Sequence, residues 1–428
     1  MMNVYPKMMM LFFAAMTCAV AAQDIQTLSL HDCYQLSSAK SETLGLREQD
    51  VRVAEAQYWQ AVSGLFPKIH VKGTDTFSDE ILSHSKRGMF GDQDTVESYV
   101  NVKQPIFNGF REFAAAQAAS ANKEAGLYSL QRARQLLYLD VADAFYQTLA
   151  YEGDLKILQE LDSALQERVA ELEKRVELGK SRKSELLSAR TDLAGARAVI
   201  ESTKKLRNAS KELLAFLIDL PSEQWKLEDK NAFPSVENIE TYLTHTGERP
   251  DVLAQIQKLR AARGLLSATK GEHWPSVNLE GNYFLYNDPD SDKDWNVAVT
   301  VDVPIFEGGL TEAKVREKEA LMRQQELNLS SLQRSAEKEI LVSYNNFIAS
   351  AAEFARFSEL KNVAEENLGE QKKDYTRGMA NNLDVLNAMR SLYNAQRDEW
   401  EARLFAKRDW VQLIVSSGIS QQPQGEKP

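Results

Sequence analysis

The chain has 428 residues, 43% hydrophobic and 26% charged, and 62 acidic against 51 basic side chains give a net charge of −11. That length suffices for two or three domains with sizeable cores, and the acidic balance speaks against general nucleic-acid binding, which needs cations against phosphates. Two cysteines exclude a disulfide framework, and a mean hydropathy of −0.42 argues against a protein that crosses a membrane as helices.

Residues 1–22 read as a secretory signal peptide. Lys7 precedes the apolar run Met8–Met16, which is too short to span a bilayer, and Ala19-Val20-Ala21-Ala22 supplies small residues for cleavage after Ala21 or Ala22. Cys18 is an alternative site for a lipid anchor, although Ala15-Met16-Thr17 is a poor lipobox. Once the signal is removed, Cys33 is the only cysteine. No later run of 18 apolar residues occurs, so no helical span is predicted.

Prolines then punctuate the chain. Residues 106–220 and 305–422 contain none, so nothing forces a helix break in either stretch. The predicted elements are a helix over 41–65, two strands between Pro67 and Pro105, and helices over 108–178 and 182–218. After a linker at 221–249 come a helix over 250–273, two strands between Pro275 and Pro304, helices over 308–377 and 382–417, and a tail at 418–428. The spacing repeats. Val102-Lys103-Gln104-Pro105-Ile106-Phe107-Asn108-Gly109 matches Val301-Asp302-Val303-Pro304-Ile305-Phe306-Glu307-Gly308 at an offset of 199, which also aligns Gly179 with Gly378. Phe66-Pro67-Lys68-Ile69 matches Trp274-Pro275-Ser276-Val277 at 208. The economical reading is one unit used twice, over 23–220 with a hairpin at 68–105 and over 250–417 with a hairpin at 276–304.

Leu158, Leu165 and Leu172 form a heptad seam. Leu155, Val169 and Val176 form its companion, interrupted by Asp162, and Ile340, Phe347, Phe354 and Leu368 do similar work later. Such seams predict coiled-coil packing of helices about 105 Å long, so the shape is a rod or tube. In the strand regions apolar residues alternate with polar ones, as in Trp295, Val297, Val299, Val301 and Val303, which predicts hairpins with one apolar face. Alternating strands of about ten residues also describe an outer-membrane barrel. Four strands cannot close one, so chains must assemble: two give eight strands with a filled interior, three give twelve around a pore.

These features together resemble the TolC family of outer-membrane efflux proteins over about 28–417. The resemblance rests on the duplication, the two Pro-Ile-Phe-x-Gly junctions, and Tyr375-Thr376-Arg377-Gly378 followed by Asn382-Leu383-Asp384-Val385-Leu386-Asn387-Ala388. It implies a mainly α fold with a small β part. Long antiparallel coiled-coil helices form a periplasmic α-barrel, and two β-hairpins contribute four strands to a trimeric 12-stranded outer-membrane β-barrel. It implies a homotrimer in outer-membrane lipid, docked to a periplasmic adaptor (membrane fusion) protein and to an inner-membrane pump or ABC exporter. The chain is then a passive exit duct of a tripartite efflux or type I secretion system.

By the same resemblance, Asp384, Asn387 and Glu185 sit at a gate at the periplasmic entrance, with Asn387 where a second acid would complete a double ring. Tyr375, Gly378 and Gly179 belong to an inter-helix clamp in which Tyr375 hydrogen-bonds Glu185, while Ala380 stands where a basic partner is expected. Pro105, Gly109, Pro304 and Gly308 form the strand-to-helix junctions. A plainer reading of Asp384 and Glu185 is that they are first-turn helix charges favoured by the dipole.

No catalytic, cofactor or metal site is predicted. Gly179-Lys180-Ser181 lacks the earlier P-loop glycine, since position 174 is Lys174. Five histidines show no ligand spacing, and there is no Gly-x-Ser-x-Gly elbow. Asp288, Asp290, Asp292 and Asp294 imitate a calcium loop whose sixth and twelfth positions, Lys293 and Val299, are wrong. The competing function is a periplasmic coiled-coil scaffold without channel activity.

Overall fold

The computed structural model describes residues 26–76, 95–230, 232–286 and 294–419. The signal peptide, most of the calcium-loop-like stretch and the tail from 420 lie outside the described residues. The elements run β1 (Gln26–Leu28), α1 (Leu30–Lys40), α2 (Glu42–Ser63), β2 (Lys68–Thr76), β3 (Thr95–Asn108), α3 (Arg111–Glu177), α4 (Lys183–Ile218) and β4 (Trp225–Leu227). Then come α5 (Ile239–Thr244), α6 (Pro250–Lys270), β5 (Ser276–Tyr286), β6 (Trp295–Asp302), α7 (Leu310–Arg377) and α8 (Asn382–Ser417). Among the described residues no helix is long and apolar enough to cross a membrane.

The predicted long helices stand within three residues of their ends. At 67 residues, α3 is about 100 Å long. Its upper part packs beside α2 and α6, and its lower part beside α4 and α8; α7 pairs with α6 above and α8 below. The helices thus form one layer, with α2 and α4 along one edge and α7 along the other. Leu158, Leu165, Leu172, Ile340, Phe347 and Leu368 are buried as the heptads require. Asp162, the polar interruption, accepts from Arg197 Nε of α4 at 2.9 Å. Where helices approach most closely the residues are small: a β-carbon on Gly264 of α6 would lie 3.0 Å from that of Ala118 in α3.

The helix predicted over 41–65 is α2, and a helix outside the predicted elements, α1, precedes it. Ser41 ends α1, its N–H donating to Ser37 O, and starts α2 by accepting from Leu44 N. The start of α1 is fixed by Ser29 and Asp32, which exchange capping-box hydrogen bonds. The 221–249 linker is also more structured than predicted, since β4 pairs in parallel with β1. This small sheet covers Leu28, Cys33, Phe145, Leu214 and Trp225 in a shared core. Burial pushes the Cys33 thiol up to about 12, so it stays protonated and inert.

Strands β2, β3, β5 and β6 form one antiparallel sheet in that order, each hairpin pairing as its alternation predicts. His70, Asn101, Asn282 and Asn296 line up across it. Asn101 Nδ2 donates to Asn282 Oδ1 at 2.6 Å, and Asn282 Nδ2 to Asn296 Oδ1 at 2.9 Å. The opposite face carries Ile69, Val71, Val297, Val299 and Val301, all exposed. Among the described residues, the outer edges of β2 and β6 have no strand partner.

Candidate functional site

The turn end of the long helices is built twice on one plan. Gly179 and Gly378 adopt φ of +67° and +76°. Lys180 N donates to Arg175 O at 2.7 Å and Met379 N to Asp374 O at 2.9 Å. These are the six-to-one bonds of Schellman motifs, which need a left-handed residue and therefore favour glycine. Beyond Gly378, Asn381 and Asp384 cap α8 reciprocally: Asp384 N donates to Asn381 Oδ1 at 3.1 Å, and Asn381 N to Asp384 Oδ2 at 2.9 Å. The plain helix-start reading of Asp384 therefore describes its local bonding, and the carboxylate is fixed at the tip and only half buried. Asn387, one turn on, is exposed.

Tyr375 is held differently from the hydrogen bond that the resemblance implies. Glu185 accepts from the Ser181 hydroxyl. The Tyr375 ring lies instead against two guanidinium groups of α3, with Arg168 Cζ 4.0 Å and Arg175 Cζ 4.9 Å from its centroid. Arg168 is only 9% exposed; its Nε donates to Asn382 Oδ1 of α8 at 2.7 Å and its Nη1 to Glu171 at 2.6 Å. One arginine of α3 thus touches both α7 and α8. Where the resemblance implies a basic residue at Ala380, the cations beside Tyr375 are those of α3. Arg168 and Arg175 escape a sequence reading because they reach Tyr375 from about 200 residues earlier in the chain; their only local mark is a heptad separation flanking the Leu165–Leu172 seam.

The strand-to-helix junctions lie at the other end. Gly109 and Phe110 (φ +63° and +59°) and Gly308 and Gly309 (+67° and +85°) turn strand into helix through successive left-handed residues. Phe110 carries a strain that a glycine would not, and its ring packs edge-on against Phe107 at 5.2 Å. A β-carbon on Gly109 would fall 2.2 Å from Gly271 O, so the backbones at the two hairpin bases touch. Gly271, unremarked in the sequence, is the partner that makes Gly109 necessary. Pro105 sits at a bulge between β3 and β5, a place where a missing N–H costs no ladder bond. Pro304 lies just past the end of β6, outside any helix or strand. Phe66, Phe113, Trp274 and Phe306, close to these junctions in the chain, are all exposed.

A helical layer continued by an alternating four-stranded sheet, with an acid-capped turn at the far end, is the architecture of the outer-membrane channel proteins it superposes on. The profile of the outer membrane efflux protein family matches residues 33–218 and 245–418, and the chain belongs to that family. It is 23% identical over 327 residues to outer membrane protein TolC of Vibrio cholerae serotype O1, covering 73% of this chain and 74% of that one. It is 24% identical over 416 residues to cation efflux system protein CusC of Escherichia coli O157:H7, covering 90% and 85%. The crystal structure of the outer membrane protein VceC from Vibrio cholerae superposes with a TM-score of 0.79 at 20% identity, over 91% of this chain and 96% of that one. The chain is an outer-membrane channel protein, and its family consists of channels rather than enzymes.

Proposed function

We propose that three copies of the chain close edge to edge into one tube that passively conducts substrates from an inner-membrane pump through the outer membrane. The observation that carries this is the pair of unpartnered edges. One edge runs along α2, β2 and α4, the other along β6 and α7. Each exposes apolar side chains: Val199, Leu206 and Leu213 of α4 at heptad spacing, and Leu341, Ile348 and Val363 of α7. Sheet edges left open in lipid would cost several kcal/mol per unpaired backbone group. Twelve strands remove those edges and leave a lumen lined by the Asn101–Asn282–Asn296 face.

The chain performs no chemistry itself; energy comes from the pump, reached through a periplasmic adaptor that meets the turn end of the helices. Three Asp384 carboxylates around the axis favour cations. Tyr375, gripped by Arg168 and Arg175, holds the α7–α8 pair against α3 and so restrains the tip. Fractionation tests the reading. The protein should leave the outer-membrane fraction only with detergent and run as a heat-sensitive trimer. Recovery as a soluble monomer would leave the periplasmic scaffold as the better reading.

A further inference from the structure

The trimer proposed above needs β6 of one copy to pair with β2 of the next, and we propose the register of that seam and the two ion pairs that lock it. The warrant is the correspondence between the two halves. The offset of 199 carries β3 onto β6, and the offset of 208 carries β5 onto β2. The observed β3–β5 pairing therefore serves as a template for the missing one. Gln104 opposite Leu279 becomes Val303 opposite Val71 of the next copy, and Val102 opposite Gly281 becomes Val301 opposite Gly73. Lys103 opposite Glu280 becomes Asp302 opposite Lys72, and beyond the bulge at Pro105, Asn108 opposite Ser276 becomes Glu307 opposite Lys68.

Three features agree with this register. First, charge: the offsets rest on proline, glycine and apolar matches and not on charge, yet both acids fall opposite lysines on the polar face, where opposite charges directly across a ladder are favourable. Slips of two residues keep the faces but put Asp302 opposite His70 or Thr74, and slips of one put apolar residues into the lumen. Second, Lys68 stands opposite Lys103 within the chain; Glu280 already faces Lys103 on its other side, and Glu307 would do the same for Lys68. Third, β3 continues as strand through Asn108, whereas its counterpart stops at Asp302 and leaves 303–307 outside any helix or strand. There Ile305 is 93% exposed and Phe306 87%. The seam would extend β6 to match β3 and place Phe306 beside Ile69. One pair, Asp75 opposite Val299, mixes faces, and it lies at the outer end of β2.

Cysteine pairs test this in the full-length protein in outer membranes. Antiparallel pairs alternate between hydrogen-bonded and wider or closer geometry, so both Val71→Cys/Val303→Cys and Lys72→Cys/Asp302→Cys are oxidised with copper phenanthroline and run denatured without reductant. Cys33, buried and protonated, contributes no background. At least one of the two pairs should give covalent dimers and trimers five-fold or more above the slipped pairs Ile69→Cys/Val303→Cys and Gly73→Cys/Val303→Cys. In a protein that still runs as a native trimer, preferential linking of a slipped pair would overturn the register alone. An unmodified protein that is monomeric would overturn the trimer itself. Charge reversal gives a second readout. Lys72→Asp or Asp302→Lys alone should lower the temperature at which the trimer dissociates, and the double exchange should restore it; no recovery in the double variant would overturn the Lys72–Asp302 pair.

Discussion

Replacing Tyr375 with leucine removes the ring that Arg168 and Arg175 grip while leaving an apolar side chain of moderate size. Arg168 keeps its hydrogen bond to Asn382 and its ion pair with Glu171, so the change isolates the ring contact. A desolvated cation–π contact contributes about 2 kcal/mol and an exposed one about 0.5–1. Arg168 is buried at 4.0 Å and Arg175 partly exposed at 4.9 Å, which gives roughly 2–3 kcal/mol in all. At 1.4 kcal/mol per factor of ten, this shifts the balance between a clamped and a separated tip by about 30- to 150-fold. Open probability of the purified channel in planar bilayers reads the shift directly. Entry of a large hydrophilic antibiotic into cells reads it indirectly. Tyr375→Phe keeps the ring and should stay within about two-fold of the unmodified protein. A phenylalanine variant as leaky as the leucine one would mean that the hydroxyl carries the clamp; a leucine variant indistinguishable from the unmodified channel would refute the clamp.

Other outcomes follow from the same geometry. Asp384→Asn should weaken cation selectivity while keeping much of the helix cap, since an amide oxygen can still accept from Asn381 N; unchanged reversal potentials in a salt gradient would remove Asp384 from the lumen. Gly109→Ala combines a left-handed φ with a 2.2 Å approach to Gly271 O and should abolish trimer recovery. Gly45→Ala, in the first turn of α2 with open space around it, should instead stabilise by about 0.5 kcal/mol in thermal melts. Burial alone would raise the Asp251 carboxyl, but hydrogen bonding from Arg249 and the charges of Arg132 and Arg249 outweigh it and hold it below the usual carboxylate range. Its contribution is present above that range and lost as pH falls through the depressed value. Arg249, 1% exposed and bonded also to Glu339 and Ser416 O, should cost about 3–5 kcal/mol when changed to methionine. The acid-side slope of stability against pH should flatten in that variant; an unchanged slope would detach Asp251 from it.

Long helices, hairpins and the duplication were legible because each leaves a periodic trace over tens of residues. Proline-free stretches, leucines every seven residues and valines every second residue survive any ambiguity at one position. What stayed hidden has no period. Strands β1 and β4 are three residues each and exist only because they meet. Ser41 breaks a helical stretch by capping in both directions, a role that a lone serine does not announce. The capping box of Ser29 and Asp32 was readable in principle and would have shown where α1 begins. At the tip, Asp384 and Gly378 lie in a contiguous motif, whereas Arg168 reaches Tyr375 from the other half of the chain. The Gly109–Gly271 contact is likewise between halves: one glycine had a motif to mark it, and the other had only its neighbour.

Single-channel recording of the detergent-extracted protein in a planar bilayer tests the central claim most directly. A trimer with twelve strands and an Asp384-lined tip predicts discrete, ohmic, cation-selective steps from the heat-sensitive species, and none after it is heated to monomers. An intact outer-membrane trimer that inserts and conducts nothing, in the unmodified and Tyr375→Leu forms alike, would contradict it.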